Sequence, residues 1–213
     1  MDEKQLNIIE LRNYLIKPNK REEFAAYFTT HFIDTQIETG LYPLAQFRIK
    51  NLHDRFFWIR GFEDMKARDK GLPAFYEQSE AWKTHGPGAN ELMLEFHNVY
   101  LLQPLCETDS NVRAFEQLKP VVVINYYLAK EDCLCDLVNL FHASDCKGSL
   151  WVSVMEENNF ARLPVIQDEH LLVSIASYES EEVYYKTIAE CDEFDIRAKE
   201  LISDMDSLVL YRM

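Results

Sequence analysis

Hydrophobic and polar residues follow two different periods near the start of the chain. Residues 5–15 alternate with period two and are rich in isoleucine and leucine, which predicts a strand. The apolar residues that follow recur at helical spacing, as with Phe24, Phe28 and Phe32. This second pattern predicts a helix over residues 19–39 with one face buried.

The ends of this helix carry sequence signals of their own. Asn19 is a good N-cap, and Glu22 stands three residues later, where a capping box needs it. Gly40 follows the last periodic residue and is placed to end the helix. We therefore expect a capped helix directly after the first strand.

The same patterns predict the remaining elements of the first half. Strands are expected at residues 43–50, 55–62 and 97–103, the first two forming a hairpin, and helices at 63–70 and 73–84. Gly71 is expected to separate the two helices, and Gly86-Pro87-Gly88 to break the chain out of the second. The resulting order, β-α-β-β-α-β, is that of a ferredoxin-like unit.

The element order then recurs. After a polar segment at residues 109–119, strands are predicted at 120–128, 150–156, 170–178 and 208–212, and helices at 131–143, 179–190 and 192–205. Repetition at this scale indicates a tandem architecture. It divides the chain into a first domain at residues 1–108, a linker at 109–119 and a diverged second domain at 120–213.

Each predicted half has one sheet face without helices, and that face must be covered. We therefore predict an α+β fold in which tandem ferredoxin-like halves pack sheet to sheet as an intrachain α/β barrel. The chain is then a pseudo-dimer of its own halves, and further homodimerisation is left open. Two loosely linked, separate domains are the alternative.

The charge of the chain restricts its partners. The formal net charge is −14, which opposes binding to nucleic acid and to anionic membrane surfaces. No run approaches the eighteen or so apolar residues of a membrane-spanning helix, and the N-terminus resembles neither a signal nor a transit peptide. These observations predict a cytoplasmic protein.

The five cysteines are odd in number and irregularly spaced, so reduced thiols are expected. Cys133, Cys135, His142 and Cys146 form the one grouping that suggests metal ligation. Its C-x-C spacing lacks the two-residue knuckle of common zinc motifs, and His142 and Cys146 suit a helix face equally well. No metal site is predicted.

The first half also carries a set of residues that recurs in a known family: Glu10-Leu11-Arg12, Tyr14, Lys17-Pro18, Trp58-Ile59-Arg60-Gly61-Phe62, Arg68, Phe75-Tyr76, Trp82-Lys83, His85, Asn90 and Met93. On these residues, the chain resembles the NIPSNAP family of the dimeric α/β-barrel superfamily over residues 5–105. The resemblance implies the barrel fold predicted above, but no established reaction. Members of the family continue a helix through the positions of Gly86-Pro87-Gly88, where this chain is expected to break it.

Relatives in the wider superfamily that degrade haem suggest a cofactor. The resemblance implies an asparagine on the first strand, a tryptophan on the third, and a histidine ligand on the next helix. Trp58 matches the tryptophan, and Asn7 or Asn13 could match the asparagine. Residues 63–70 contain no histidine, and Arg68 stands where one is needed. Haem is therefore a candidate cofactor that lacks its expected ligand.

Alternation along the strands predicts a polar face in the first half. Glu10, Arg12 and Tyr14 share one face of the first strand, and Trp58 and Arg60 share one face of the third. Together with Arg48 and His31, these residues are expected to line a pocket for an anionic or carbonyl-bearing small molecule. The expected ligand-binding set is Arg12, Tyr14, His31, Arg48, Trp58 and Arg60. The alternative is a structural network in which Glu10 pairs with Arg12 or Arg60.

Candidate catalytic groups are few. His85, beside Gly86-Pro87-Gly88, is the better candidate for a titrating group, with Arg60 as the second, whereas His31 suits a core position. No phosphate loop, zinc-protease or nucleophile-elbow motif is present. Three functions remain open: a protein that binds a small aromatic, lipid-like or tetrapyrrole ligand, a cofactor-independent monooxygenase or isomerase, and a non-catalytic interaction module.

Overall fold

The element order of the first half follows the predicted pattern. A computed structural model describes residues 4–106, 110–144, 146, 148–189 and 192–213. Its first strands are β1 (Ile8–Ile16), β2 (Tyr42–Ile49), β3 (Leu52–Phe62) and β4 (Met93–Pro104). Its first helices are α1 (Arg21–Glu38), α2 (Met65–Pro73) and α3 (Glu80–Leu92), with a π-helical turn at Ala74–Gln78 between the last two.

The second half repeats this order with shorter helices. It contains α4 (Val112–Glu116), β5 (Val121–Ala129), α5 (Leu134–Ala143), β6 (Ser149–Ser153), β7 (Leu171–Tyr178), α6 (Glu181–Ile188), α7 (Asp192–Leu201) and β8 (Ile202–Arg212). The predicted helix end at residue 190, the predicted domain boundary between residues 108 and 109, and Cys191 lie outside the described residues.

The strands of both halves form one closed barrel. Its order in the described part of the chain is β1-β3-β2-β8-β5-β7-β6-β4, and the paired strands are antiparallel. Each half contributes four adjacent strands. The halves meet where β2 pairs with β8 and where β4 pairs with β6. The predicted intrachain barrel of two ferredoxin-like halves is confirmed.

The barrel interior is filled by the apolar face of each half. Leu11, Phe57 and Ile59 of the first half and Trp151 and Val173 of the second are all at most 1% exposed in this core. Burial of one such side chain stabilises the fold by about 1.5–3 kcal/mol. Because this face is filled, the polar face of β1 and β3 lies on the outside of the barrel, under α1, α2 and α3.

The predicted cap of α1 is wrong. Asn19 adopts a left-handed conformation with φ of 62°, and the helix begins after Lys20 without a side-chain cap. The Asn19 backbone N–H instead donates to the Asp54 carboxylate at 2.9 Å, which ties this turn to β3. Gly40 follows the helix with φ of 81°, as expected of a residue that ends a helix.

Gly71 does not separate two helices; it lies inside α2. A Cβ atom at this position would lie 2.4 Å from Leu41 Cδ2 and 3.0 Å from the Thr39 carbonyl oxygen. The glycine therefore lets α2 pass close to the turn that follows α1. The separation of α2 from α3 falls instead at Ser79, which is extended and accepts a hydrogen bond from the Trp82 N–H.

The predicted break at Gly86-Pro87-Gly88 is also wrong, because α3 runs through it to Leu92. A Cβ at Gly86 would lie 2.9 Å from the ring of Trp82 in the same helix, and one at Gly88 would lie 2.7 Å from the hydroxyl of Tyr27 in α1, so Gly88 lets the two helices pack closely. Tertiary packing of α3 against α1 therefore overrides the low helix propensity of these residues.

The last helix and the linker also differ from prediction. The last helix ends at Leu201 rather than Met205, because Asp204 and Met205 already pair with β5. The predicted linker contains α4, and its Phe115 is buried at the end of the barrel core, 5.9 Å from the Trp151 ring. Across the described residues, no helix is both long and apolar enough to cross a membrane.

Candidate functional site

Four charged residues form a buried cluster on the outer face of the first half-sheet. Glu10 and Arg12 come from β1, Arg60 from β3 and Arg68 from α2, and each is at most 1% exposed. The alternation of the strands directs Glu10, Arg12 and Arg60 toward the helices. We call these residues the arginine cluster.

Glu10 is the common partner of the three arginines. Its Oε2 accepts from Arg12 at 2.6 Å and from Arg60 at 2.6 and 3.0 Å, and its Oε1 accepts from Arg68 at 3.0 Å. Asn158 and Asn159 accept from the other end of the Arg68 guanidinium. Burial alone would raise the pKa of the Glu10 carboxyl, but the charges of Arg60, Arg12 and Arg68 hold that pKa well below its usual value.

The cluster holds more positive than negative charge. Glu10 is the one acid that pairs with Arg12, Arg60 or Arg68 among the ion pairs of the described residues. Burial lowers the pKa of Arg68 despite the neighbouring carboxylate. Three guanidinium groups thus share a single carboxylate, which leaves two positive charges without a counter-charge.

Aromatic rings enclose the cluster on the helix side. The centre of the Trp58 ring lies 5.4 Å from the Arg12 guanidinium and 5.2 Å from the Arg60 guanidinium. The Tyr14 hydroxyl accepts from Arg12 Nε at 2.7 Å, and the Tyr76 hydroxyl accepts from Arg60 at 3.2 Å. These contacts place a cationic surface against aromatic walls.

Two adjacent cavities open beside these rings. The outer cavity has a volume of about 140 Å³ and lies between β1, α3, β4 and the connection from β6 to β7. Its lining residues are Arg12, Tyr14, Tyr76, Trp82, Asn90, Met93, Phe96, Arg162 and Leu163. The inner cavity has a volume of about 30 Å³, shares Tyr14, Tyr76, Trp82 and Met93 with the outer one, and reaches Trp58 and Gln36.

The structure brings four of the predicted site residues together. Arg12 and Tyr14 line the outer cavity, Trp58 and Tyr14 line the inner one, and Arg60 lies behind them in the arginine cluster. Arg48 lies elsewhere, 41% exposed and paired with Glu22 at 2.7 Å.

The two predicted histidines form a separate pair between α1 and α3. The rings of His31 and His85 stack at 3.8 Å, and neither residue lines the outer or the inner cavity. The Tyr27 hydroxyl donates to the His85 carbonyl at 3.2 Å. This position removes His85 from direct contact with a molecule in either cavity.

Several lining residues have no role in the sequence-based prediction. Gln36 lies on the buried face of α1, and helical periodicity could have found it. Arg162 and Leu163 come from the connection between β6 and β7, for which the sequence carries no periodic signal. The second half therefore supplies part of a cavity that the strand pattern assigns to the first half alone.

The cavities do not fit haem. Neither is lined by a histidine or cysteine from the described residues, and their volumes of about 140 and 30 Å³ are small beside the ~300–1,000 Å³ of cavities for larger ligands. In the same part of the chain, no group of three histidine, cysteine, aspartate or glutamate side chains is placed to hold a metal ion.

Comparison with solved structures gives full-length matches. A protein from Lactobacillus acidophilus predicted to be a monooxygenase matches 98% of this chain and 94% of its own, with 13% identity and a TM-score of 0.64. An anthrone oxidase-like protein matches 100% of this chain and 92% of its own, with 10% identity and a TM-score of 0.62. At these identities the matches show a shared fold.

The same comparison also matches about half of the chain to NIPSNAP family proteins. A NIPSNAP family protein from Agrobacterium tumefaciens matches 46% of this chain and 91% of its own, with 17% identity and a TM-score of 0.39. No protein-family model matches the sequence, and the search of curated proteins finds no match. Among these comparisons, it is therefore the full-length structural matches that support the fold.

Proposed function

We propose that this protein binds a small aromatic anion in the outer cavity and that Arg12 receives the negative charge. The observation that carries this proposal is the charge balance of the arginine cluster, in which one carboxylate serves three buried guanidinium groups. An uncompensated buried charge is strongly unfavourable. An anionic ligand beside Arg12 relieves that cost.

The shape and chemistry of the outer cavity narrow the ligand. Its volume of about 140 Å³ suits a molecule built around one aromatic ring, because larger ligands occupy about 300 Å³ or more. Tyr14, Tyr76 and Trp82 supply aromatic walls for such a ring. A carboxylate or phenolate is the group that a guanidinium binds best. This cavity also argues against an interaction module with a filled core.

A thermal-shift panel of benzoate, 4-hydroxybenzoate and 2-naphthoate tests the proposal. A ligand at about one hundred times its Kd adds about 2.7 kcal/mol to the free energy of unfolding. We expect saturable stabilisation of the wild type and of Arg48→Met, whose arginine is exposed and remote. Arg12→Met should show none. Equal stabilisation of the two variants, or none of the wild type, would overturn the proposal.

A second candidate is a cofactor-independent monooxygenase that acts on an electron-rich phenol. The full-length structural matches include a protein predicted to be a monooxygenase and an anthrone oxidase-like protein. The excess positive charge beside Arg12 also favours the phenolate form of a bound phenol, which is the form that gives up electrons to dioxygen most readily. The same site would thus serve binding and oxidation.

Oxygen uptake distinguishes this second candidate from binding alone. If the protein is a monooxygenase, it should consume dioxygen when an electron-rich phenol is added without cofactor. Arg12→Met should lose that activity. His85→Ala should retain it, because His85 does not line the cavities. Saturable binding without oxygen uptake would support the binding function and exclude the monooxygenase function.

A further inference from the structure

Two buried hydrogen-bond donors of the inner cavity have no partner among the described residues. They are Trp58 Nε1 and Gln36 Nε2. Both side chains are 1% exposed, and both line the inner cavity. A buried donor without an acceptor has lost its hydrogen bonds to water and gained none in return. Two such donors in one cavity therefore indicate that the group filling the cavity must accept hydrogen bonds.

The orientation of the Gln36 amide is fixed by its neighbour. Arg60 Nη1 donates to the Gln36 Oε1 atom at 3.3 Å. A guanidinium has no acceptor, so the amide atom facing it must be the oxygen. The amide nitrogen is therefore the atom left for the inner cavity. The indole nitrogen of Trp58 can only donate.

The other polar groups of the cavity wall are donors as well. The Tyr14 and Tyr76 hydroxyls each accept a hydrogen bond from an arginine and keep their own protons to donate. Burial raises the pKa of Tyr14, so its hydroxyl stays protonated. The inner cavity thus offers hydrogen-bond donors and lacks free carboxylates or carbonyls among its lining side chains, apart from the Gln36 oxygen already bound to Arg60.

We infer that the inner cavity receives a carbonyl oxygen of the ligand, hydrogen-bonded by Trp58 Nε1 and Gln36 Nε2. A water molecule or a hydroxyl could accept these bonds, but its own protons would find few acceptors there. A carbonyl oxygen accepts two hydrogen bonds and has no proton to satisfy. The volume of about 30 Å³ exceeds the ~10–15 Å³ that one water-sized group needs.

This inference rests on the proposed function and deepens it. Because the two cavities share four walls, one ligand can place its anion beside Arg12 and its carbonyl beside Trp58. The ligand class becomes an aromatic anion that also carries a ketone, aldehyde or similar carbonyl group. The inner cavity selects among the anions that the outer cavity admits.

Matched probes test the inference by isothermal titration calorimetry. The probes are 3- and 4-acetylbenzoate, and their isosteres 3- and 4-isopropylbenzoate, which keep the carboxylate and lack the carbonyl. We expect the wild type to bind at least one acetyl probe about tenfold more tightly than its isostere, the effect of about 1.4 kcal/mol of hydrogen bonding. Gln36→Met and Trp58→Phe should each reduce this preference at least threefold while retaining the isopropyl probe.

Trp82→Phe is the matched control. Trp82 lines the same cavities without an unpaired buried nitrogen. Trp82→Phe should therefore weaken the binding of both probes by the same factor and leave the ratio of their Kd values unchanged. Equal binding of acetyl and isopropyl probes by the wild type would overturn the inference and leave the proposed function intact, as would a preference unchanged in both Gln36→Met and Trp58→Phe. Absence of binding by every probe would overturn the proposed function itself.

Discussion

At the residue scale, the chain is defined by one buried carboxylate that holds three arginines. Glu10 is fully buried and bonded to Arg12, Arg60 and Arg68. Loss of one partner from a buried pair leaves an uncompensated charge. The cluster has one negative group and three positive ones. Removal of the carboxylate should therefore destabilise the fold more than removal of one guanidinium.

Glu10→Gln should destabilise the protein by about 3–5 kcal/mol, because it leaves three buried guanidinium groups without an anion. Urea denaturation measures this change. Glu22→Gln is the control, since Glu22 also pairs with an arginine but is 56% exposed, and it should cost about 1 kcal/mol or less. Similar losses in the two variants would contradict the proposed role of Glu10.

Arg12→Met should change the free energy of unfolding by no more than about 1 kcal/mol. The lost hydrogen bonds to Glu10 and Tyr14 destabilise the fold, while the removal of an uncompensated buried charge offsets that loss. Glu10 keeps Arg60 and Arg68 as partners. A loss as large as that of Glu10→Gln would show that Arg12 serves the fold rather than a ligand.

The stability of the protein should also depend on pH through Glu10. The pKa of Glu10 is lowered in the folded state, whereas an unfolded glutamate has a pKa of ~4.3. Its contribution is therefore complete above about pH 4.3 and falls by up to ~1.4 kcal/mol per pH unit below it. Denaturation at pH 3, 4, 5 and 7 measures this slope. An unchanged slope in Glu10→Gln would contradict the assignment.

At the element scale, glycines determine how closely the helices pack on the first half-sheet. Gly71→Ala should destabilise the protein by about 1–3 kcal/mol, although the same change stabilises an exposed helix by up to ~1 kcal/mol. The new Cβ would overlap Leu41. In a double-mutant cycle, Leu41→Ala should remove most of the Gly71→Ala effect. Independent, additive losses would contradict this explanation.

The sequence predicts elements better than it predicts their ends. Strand alternation correctly separates Leu11 and Ile59 from Glu10 and Arg60, because every second side chain must enter the barrel core. Helix breaks at Gly71 and Pro87 are mispredicted, because tertiary packing rather than local propensity decides those positions. For this fold, strand alternation is therefore a better predictor of structure than glycine and proline residues within helices.

The residues of the candidate site could also be predicted only in part from the sequence. Arg12, Tyr14, Trp58 and Arg60 follow from strand alternation alone. Arg162 reaches the cavity from the connection between β6 and β7, and Arg68 joins Glu10 across 58 positions of sequence. Contacts of this kind depend on how the elements meet, so no local pattern reveals them.

At the scale of the whole molecule, the two halves cover each other's apolar sheet face. The isolated first half, residues 1–106, would expose Leu11, Phe57 and Ile59 to water. We expect this fragment to self-associate, as measured by light scattering coupled to size-exclusion chromatography, because a half-barrel of this size cannot leave such a face bare. A folded, monomeric fragment would contradict the proposed interdependence of the halves.

Residues of both halves also meet at the candidate site. Phe160 of the second half stacks on Tyr76 at 6.0 Å, while Asn159 accepts from Arg68. The site is therefore complete only in the intact chain. Its central property is the excess positive charge beside an aromatic cavity.

Calorimetric titration of the intact protein with benzoate and with benzamide tests that property most directly. The two probes share one shape and differ in charge. We predict that benzoate binds once per chain and at least about tenfold more tightly than benzamide, a preference of about 1.4 kcal/mol, and that Arg12→Met abolishes this preference. Equal binding of the two probes, or a preference for benzoate that survives in Arg12→Met, would contradict the account.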